Sequence, residues 1–273
     1  MRLPFLWDKL RRVDMNILIT NDDSYRSNGI KTLCRIMEKF GNVAVIAPET
    51  VQSGMSMAVS LGSECIRLRE LTGDECPCPG TRWASLDATP ASCVKFALST
   101  DYLGWVPDLV MSGINHGANT AANAGYSGTL GAAAESAVNH ILGIGVSIDD
   151  HNPDADLSAI EAMLPDIVTK LLNIPVNKSS SYYNINFPSI PLSDIKGVRA
   201  ANMGHTRWFK EFRETGMDNG HKTYRMCGEF KSEDDNTALA DHLLVEQGYV
   251  TIVPHCIDST DYNQLKVLAN NII

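Results

Sequence analysis

Between residues 17 and 172 short apolar runs alternate with stretches whose apolar residues recur at helical spacing, and nothing else in the chain restricts the fold so much. The runs at 17–20, 43–47, 109–111 and 144–148 read as buried strands. The stretches 28–40, 90–98, 129–141 and 157–172 read as helices, with Pro90 in a first turn and Pro165 expected to bend or divide the last one. Residues 57–68 look extended. Strands separated by helices of this length predict an α/β fold: a three-layer αβα, Rossmann-like, doubly wound and mostly parallel sheet. Right-handed crossovers then place the strand C-termini along one edge, where open α/β sheets bind ligands.

The last third changes character. Residues 182–187, 198–203 and 249–253 read as strands, the last closed by Pro254, and 236–247 as a helix ended by Gly248. Between them, 205–230 is polar and aromatic, with turn signals at Thr215-Gly216 and Asn219-Gly220 that predict a β-hairpin. A hairpin of this length has little core of its own, so the C-terminal hairpin and helix are expected to pack against another subunit. The organisation expected is a dispensable N-terminal extension (1–14), a catalytic core (15–190), and a C-terminal region (191–273) that completes the fold and mediates oligomerisation.

A net charge of −9 argues against a nucleic-acid polymer or an anionic membrane surface as partner. The seven cysteines follow no secreted-scaffold pattern, and Cys76-Pro77-Cys78 has no partner pair at zinc-finger spacing. Reduced thiols in a cytoplasmic protein are the simpler expectation. The apolar patch Leu3-Pro4-Phe5-Leu6-Trp7 is followed by Lys9, Arg11 and Arg12, an order opposite to that expected of a signal peptide, and no later stretch approaches the ~20 apolar residues of a membrane span.

The chemistry sits where strands end. The first run stops at Asn21-Asp22-Asp23-Ser24, two adjacent carboxylates with no basic residue within two positions. Such a pair either binds a hard cation or divides into a helix cap and a solvated side chain. Ser112-Gly113-Ile114-Asn115-His116-Gly117-Ala118-Asn119 ends another strand. Its asparagine carbonyls suit magnesium or manganese, although a Gly/Asn turn alone would read the same. Tyr126-Ser127-Gly128-Thr129-Leu130-Gly131 opens a helix, either as an anion site of first-turn amides or as a Ser/Thr cap with glycines for close packing. There is no Walker loop or dinucleotide fingerprint, so ATP and NAD are not expected ligands.

These clusters, taken in order, resemble the survival protein E (SurE) family of metal-dependent nucleotidases. The resemblance begins at Met15-Asn16-Ile17-Leu18-Ile19-Thr20-Asn21-Asp22-Asp23 and runs through Gln52-Ser53-Gly54-Met55-Ser56. It continues in Ser112-Gly113-Ile114-Asn115 and Ser127-Gly128-Thr129, and closes with Gly248-Tyr249-Val250-Thr251-Ile252-Val253-Pro254. The chain departs from the usual pattern at Ser92 and Ala240, where the family has Asp and Thr, and carries only Arg207 and Lys210 as its basic stretch before the hairpin.

The resemblance implies hydrolysis of nucleoside 5′- and 3′-monophosphates, with short polyphosphate as a further substrate. It implies one divalent ion per subunit (Mg²⁺ or Mn²⁺, with Ca²⁺ able to substitute) held by Asp22, Asp23, Ser53 and Asn115. Asn119 and Ser127, with Gly128 and Thr129, would bind the phosphoryl group, and Asp22, Asp23, Asn119 and Ser127 form the catalytic set. Water attack is preferred over attack by an aspartate. His116 is a candidate proton donor and His205 a weaker one. Trp208, Phe209 and Phe212 offer either a base-stacking surface or an interface. The family also implies a homodimer, or a tetramer of two dimers. A nucleotide-sensing module without catalysis and a metal-dependent glycosyltransferase are the rival readings.

Overall fold

Nine strands form the central sheet of the computed structural model, which describes residues 15–62, 65–175, 181–234 and 239–272. The expected extension 1–14 lies outside the described residues. The elements run β1 (Met15–Thr20), α1 (Asn28–Met37), β2 (Gly41–Pro48), β3 (Leu68–Leu71), β4 (Arg82–Leu86), α2 (Pro90–Ser99), β5 (Leu109–His116) and α3 (Gly128–Val138). There follow β6 (Leu142–Ile148), α4 (Ser158–Leu171), β7 (Ser181–Phe187), β8 (Val198–Ala200), β9 (Thr206–Phe209), β10 (Phe212–Asp218) and β11 (His221–Met226). The chain closes with β12 (Glu229–Ser232), α5 (Asp241–Glu246), β13 (Val250–Cys256) and α6 (Tyr262–Ile272).

Strand order in the sheet is β3-β4-β2-β1-β5-β6-β7-β13-β8. From β4 to β7 every pairing is parallel, while β3 and β13 join antiparallel and β8 pairs parallel with β13. The winding reverses between β1 and β5, and at such a switch point the loops after the two strands diverge and open a crevice. Alternation along β1 explains the layers. Ile17 and Ile19 enter one apolar cluster with Ile30 and Leu33 of α1 and Ile160 and Leu164 of α4. Leu18, between them, enters the other, with Cys93 and Val94 of α2 and Ala132 of α3. All three β1 residues are fully buried, each worth roughly 2 kcal/mol of apolar transfer, so β1 is held at the centre of the sheet from both faces.

Several boundaries depart from expectation. Strand β5 does not stop at Met111 but carries Ser112 to His116 as strand, with a register shift between Ser112 and Asn115. Of the segment expected to be extended, residues 57–62 and 65–67 hold no strand and turn at 57 and 61–62; only Leu68 is strand, opening β3, and β4 follows where no strand was expected. Helix α4 continues through Pro165 undivided. Strand β13 passes Pro254, where only β7 lies alongside, because β8 pairs no further than Ile252. The strand expected at 198–203 ends at Ala200, and α5 begins only at Asp241. Part of the helix expected at 236–247 lies outside the described residues. Helix α6 was not anticipated.

The hairpin forms as its turn signal predicts, with Asp218 paired to His221 across Asn219-Gly220. Strands β9 and β12 extend the ribbon at its base. Among the described residues no helix is long and apolar enough to cross a membrane.

Candidate active site

The turn after β1 settles how its two carboxylates are used. The Asn21 amide donates to Ser24 O (3.0 Å) and Ser27 Oγ (2.9 Å), and Ser27 in turn accepts from Ile30 N as the N-cap of α1. The cap role open to an aspartate is therefore taken by Ser27, and both Asp22 and Asp23 are released from it. Asp22 is buried, its Oδ1 accepting from Thr129 Oγ1 at 2.6 Å. Burial, with the charge of Asp23 adding to it, pushes the Asp22 carboxyl up to about 6 despite that hydroxyl. Gly128 backs the same side chain: a Cβ there would lie 2.9 Å from Asp22 Cβ and 3.0 Å from its Oδ2. Only a glycine lets the start of α3 approach so closely.

Strand β5 delivers the second group beside the first, because Thr20 of β1 registers with Ser112. Asp23 Oδ2 accepts from the His116 backbone N (3.2 Å) and lies 3.3 Å from His116 Nδ1, while the buried His116 Nε2 has no protein partner. The Asn115 amide nitrogen donates to Gly117 O at 2.7 Å, which leaves its Oδ1 as the atom available to a ligand. Ser53 is exposed on the loop after β2, and that loop is tied to the site by Gln52 N donating to Asp22 O at 2.7 Å. Ser56 fixes the loop's far end through Ser56 N to Tyr126 O and Ser56 Oγ to Gly125 O, both 2.9 Å.

Ser127 caps α3, its Oγ accepting from Leu130 N at 3.1 Å. The cap and the anion site prove compatible, since a capping hydroxyl still has a proton to donate. Asn119 is buried and heavily bonded. Its backbone N donates to Asn186 Oδ1 (2.8 Å), its amide to Ser147 Oγ (2.9 Å), and its O accepts from Asn184 (2.8 Å). Two strands, β6 and β7, thus position one residue.

Asp22, Ser53, Asn115, His116, Asn119 and Ser127 line one crevice of ≈ 250 Å³. Asp23 stands beside that lining on His116, and Gly128 and Thr129 sit behind Asp22 rather than in the lining. The lining also holds Tyr126, which opens the motif before α3, and Asn123 and His151, which no sequence motif marks. His151 follows β6, and its ring closes on Gly117, where a Cβ would lie 2.5 Å from Cε1. The adjacency of β5 and β6 was the available signal.

The hairpin aromatics are not in the lining. Trp208 Nε1 donates to Asn123 Oδ1 (2.9 Å) and its ring packs edge-on against Phe230, while Phe212 is exposed on the ribbon. His205 pairs with Asp234, away from the crevice. Ser92, a departure from the usual pattern, accepts from Ser60 N and Thr89 Oγ1, both 2.9 Å, and so anchors the loop that carries Ser53.

Comparison with known proteins gives relatives over most of the chain. Residues 17–210 match the family model described as "Survival protein SurE". The chain is 36% identical over 249 residues to the 5'-nucleotidase SurE of Cytophaga hutchinsonii, covering 91% of this chain and 93% of that one. It is 35% identical over 256 residues to the 5'-nucleotidase SurE of Mannheimia succiniciproducens, covering 93% and 97%. The crystal structure of the SurE protein from Aquifex aeolicus superposes with a TM-score of 0.77 at 28% identity, covering 93% of this chain and 98% of that chain.

Proposed function

This chain belongs to the Survival protein SurE family, and we propose that its crevice hydrolyses nucleoside 5′-monophosphates to nucleoside and phosphate with the help of a divalent cation. The rival readings, a sensing module and a glycosyltransferase, draw no support from these relatives. The observation that supports the proposal is that Asp22, Ser53 and Asn115 line one crevice at the β1/β5 switch point, with Asp23 beside it on His116 and the capped start of α3 adjoining.

The donors fit a hard cation. All four offer oxygen, which suits magnesium and manganese. The lining includes no Lys or Arg to neutralise the buried Asp22 carboxylate, and its His116 is turned to Asp23 instead. Asp22, Asp23, Ser53 and Asn115 would hold the ion. When bound, it supplies Lewis-acid polarisation of a phosphoryl oxygen and a lowered pKa for water.

The protein's own groups do the rest. Ser127 Oγ donates to a non-bridging phosphoryl oxygen, and so does the Asn119 amide with the proton that Ser147 leaves it. The α3 N-terminus adds its dipole, stabilising charge that grows as the phosphorus–ester bond breaks. Water attacks phosphorus and Asp23 takes its proton. His116 fixes Asp23 through two contacts and keeps Nε2 for the leaving ester oxygen. Tyr126, exposed at the rim, offers a stacking face for the base. Nucleoside 3′-monophosphates and short polyphosphate present the same terminal phosphoryl group and are further substrates on this reading.

The exposed apolar residues of the ribbon (Phe212, Met217, Tyr224, Met226) and of α6 (Leu265, Leu268) are proposed as the surface of a homodimer, or of a tetramer of two dimers. A single monomeric species by light scattering contradicts that part. Phosphate release from nucleoside monophosphates, with manganese and with chelator, tests the activity. Release only with the cation is expected, and none in either condition from folded protein overturns it.

A further inference from the structure

Among the described residues, one group of three cysteine and carboxylate side chains brings its ligand atoms within 4.8 Å of one another: Cys34, Glu38 and Cys78. It lies outside the crevice lining. Cys34 and Glu38 are four residues apart at the C-terminal end of α1, a spacing that puts two side chains on one helix face. Cys78 comes from the turn before β4, so the group bridges two segments 44 residues apart in the chain.

The surroundings are those of a ligand set. Both sulfurs are buried in the main core, and Glu38 is exposed at its edge, which leaves an ion a way in from solvent. Thr81 Oγ1 donates to Glu38 Oε1 at 3.0 Å and so orients the carboxylate from outside the set. Cys76, next to the group, points its Sγ at Thr81 O (3.4 Å) instead. A tetrahedral ion with metal–sulfur bonds of about 2.3 Å sets its donors roughly 3.8 Å apart, so three donors within 4.8 Å need only small side-chain rotations.

We propose that Cys34, Glu38 and Cys78 form a second cation site, for a thiophilic divalent metal such as zinc, with solvent as the fourth ligand. Two sulfurs and one carboxylate distinguish it chemically from the all-oxygen crevice. Burial pushes both thiols up, so they remain protonated until a metal displaces the protons. Binding staples α1 to the turn that carries Glu75, which accepts from the Tyr25 hydroxyl (3.0 Å) just beyond the acidic pair. The site therefore braces the element behind the crevice without entering it.

The test is cobalt(II) titration of the full-length, chelator-stripped and phosphine-reduced protein. The expected result is a thiolate-to-cobalt charge-transfer band that saturates at one ion per chain and is erased by zinc. Cys78→Ala should abolish it, Asp22→Asn should leave it intact, and Glu38→Gln should weaken binding on the order of tenfold. Glu38 is exposed, so that variant reports even if Cys78→Ala fails to fold. Absence of the band in folded wild type, its survival in Cys78→Ala, or unchanged affinity in Glu38→Gln overturns the proposal.

Discussion

Thr129 Oγ1 donates to Asp22 Oδ1 at 2.6 Å, joining the first turn of α3 to the end of β1 across 107 positions of sequence. Both groups are buried, so this bond has no water to replace it. Thr129→Val keeps the shape and removes the donor. It should destabilise the protein by about 1–3 kcal/mol in urea unfolding, with Thr129→Ser close to wild type. Equal midpoints for Val and Ser would show that the bond does not matter.

A ligand that binds only the folded state stabilises it by mass action. Manganese at roughly 100 times its dissociation constant should add about 2.7 kcal/mol, seen as a raised Tm that chelator reverses. In Asp22→Asn the crevice contribution should vanish. The same variant should be more stable than wild type in chelator, because it removes a buried charge from beside Asp23.

Gly128→Ala places a methyl group against Asp22. The nearest contact is Asp22 Cβ, which side-chain rotation cannot move, so the start of α3 and the end of β1 must shift apart and both fold stability and metal affinity should fall. Isothermal titration with manganese should show weaker binding, and urea unfolding a loss of about 1–3 kcal/mol; unchanged affinity and stability would show that the close approach does not matter.

His116→Ala removes one of the two contacts that fix Asp23 and the unpartnered Nε2 of the crevice. A proton-handling or orienting group of this kind is worth roughly 10²-fold or more in rate. The fall should appear in kcat, with KM within a few-fold. A pure rise in KM would make His116 a substrate-binding residue only.

Much of this was legible because β1 and β5 change from apolar to polar abruptly, and each change sits at a strand end on one edge of the sheet. What sequence left open, contacts decide. Whether an aspartate capped the first helix depended on Ser27, four residues beyond Asp23 and no less plausible as a cap. His151 reaches the crevice only because β6 lies beside β5, and Cys34 meets Cys78 only through tertiary packing, so no local spacing announces either. Strand β4 escaped notice because Arg82 and Ser85 interrupt its apolar run, although Trp83 and Leu86 are fully buried. Helix α6 has exposed apolar residues and contributes none to the two core clusters, so its partner lies outside the chain's own fold on the dimer reading.

The central claim is that the β1/β5 crevice hydrolyses a phosphate ester through its acidic pair. Phosphate release from a panel of nucleoside monophosphates with manganese, on wild type and Asp23→Asn, tests it most directly. The account predicts turnover by wild type that chelator abolishes, and a loss of at least about 10³-fold in Asp23→Asn, whose fold is intact by circular dichroism. Comparable turnover by Asp23→Asn, or none by folded wild type with any divalent cation, would contradict it.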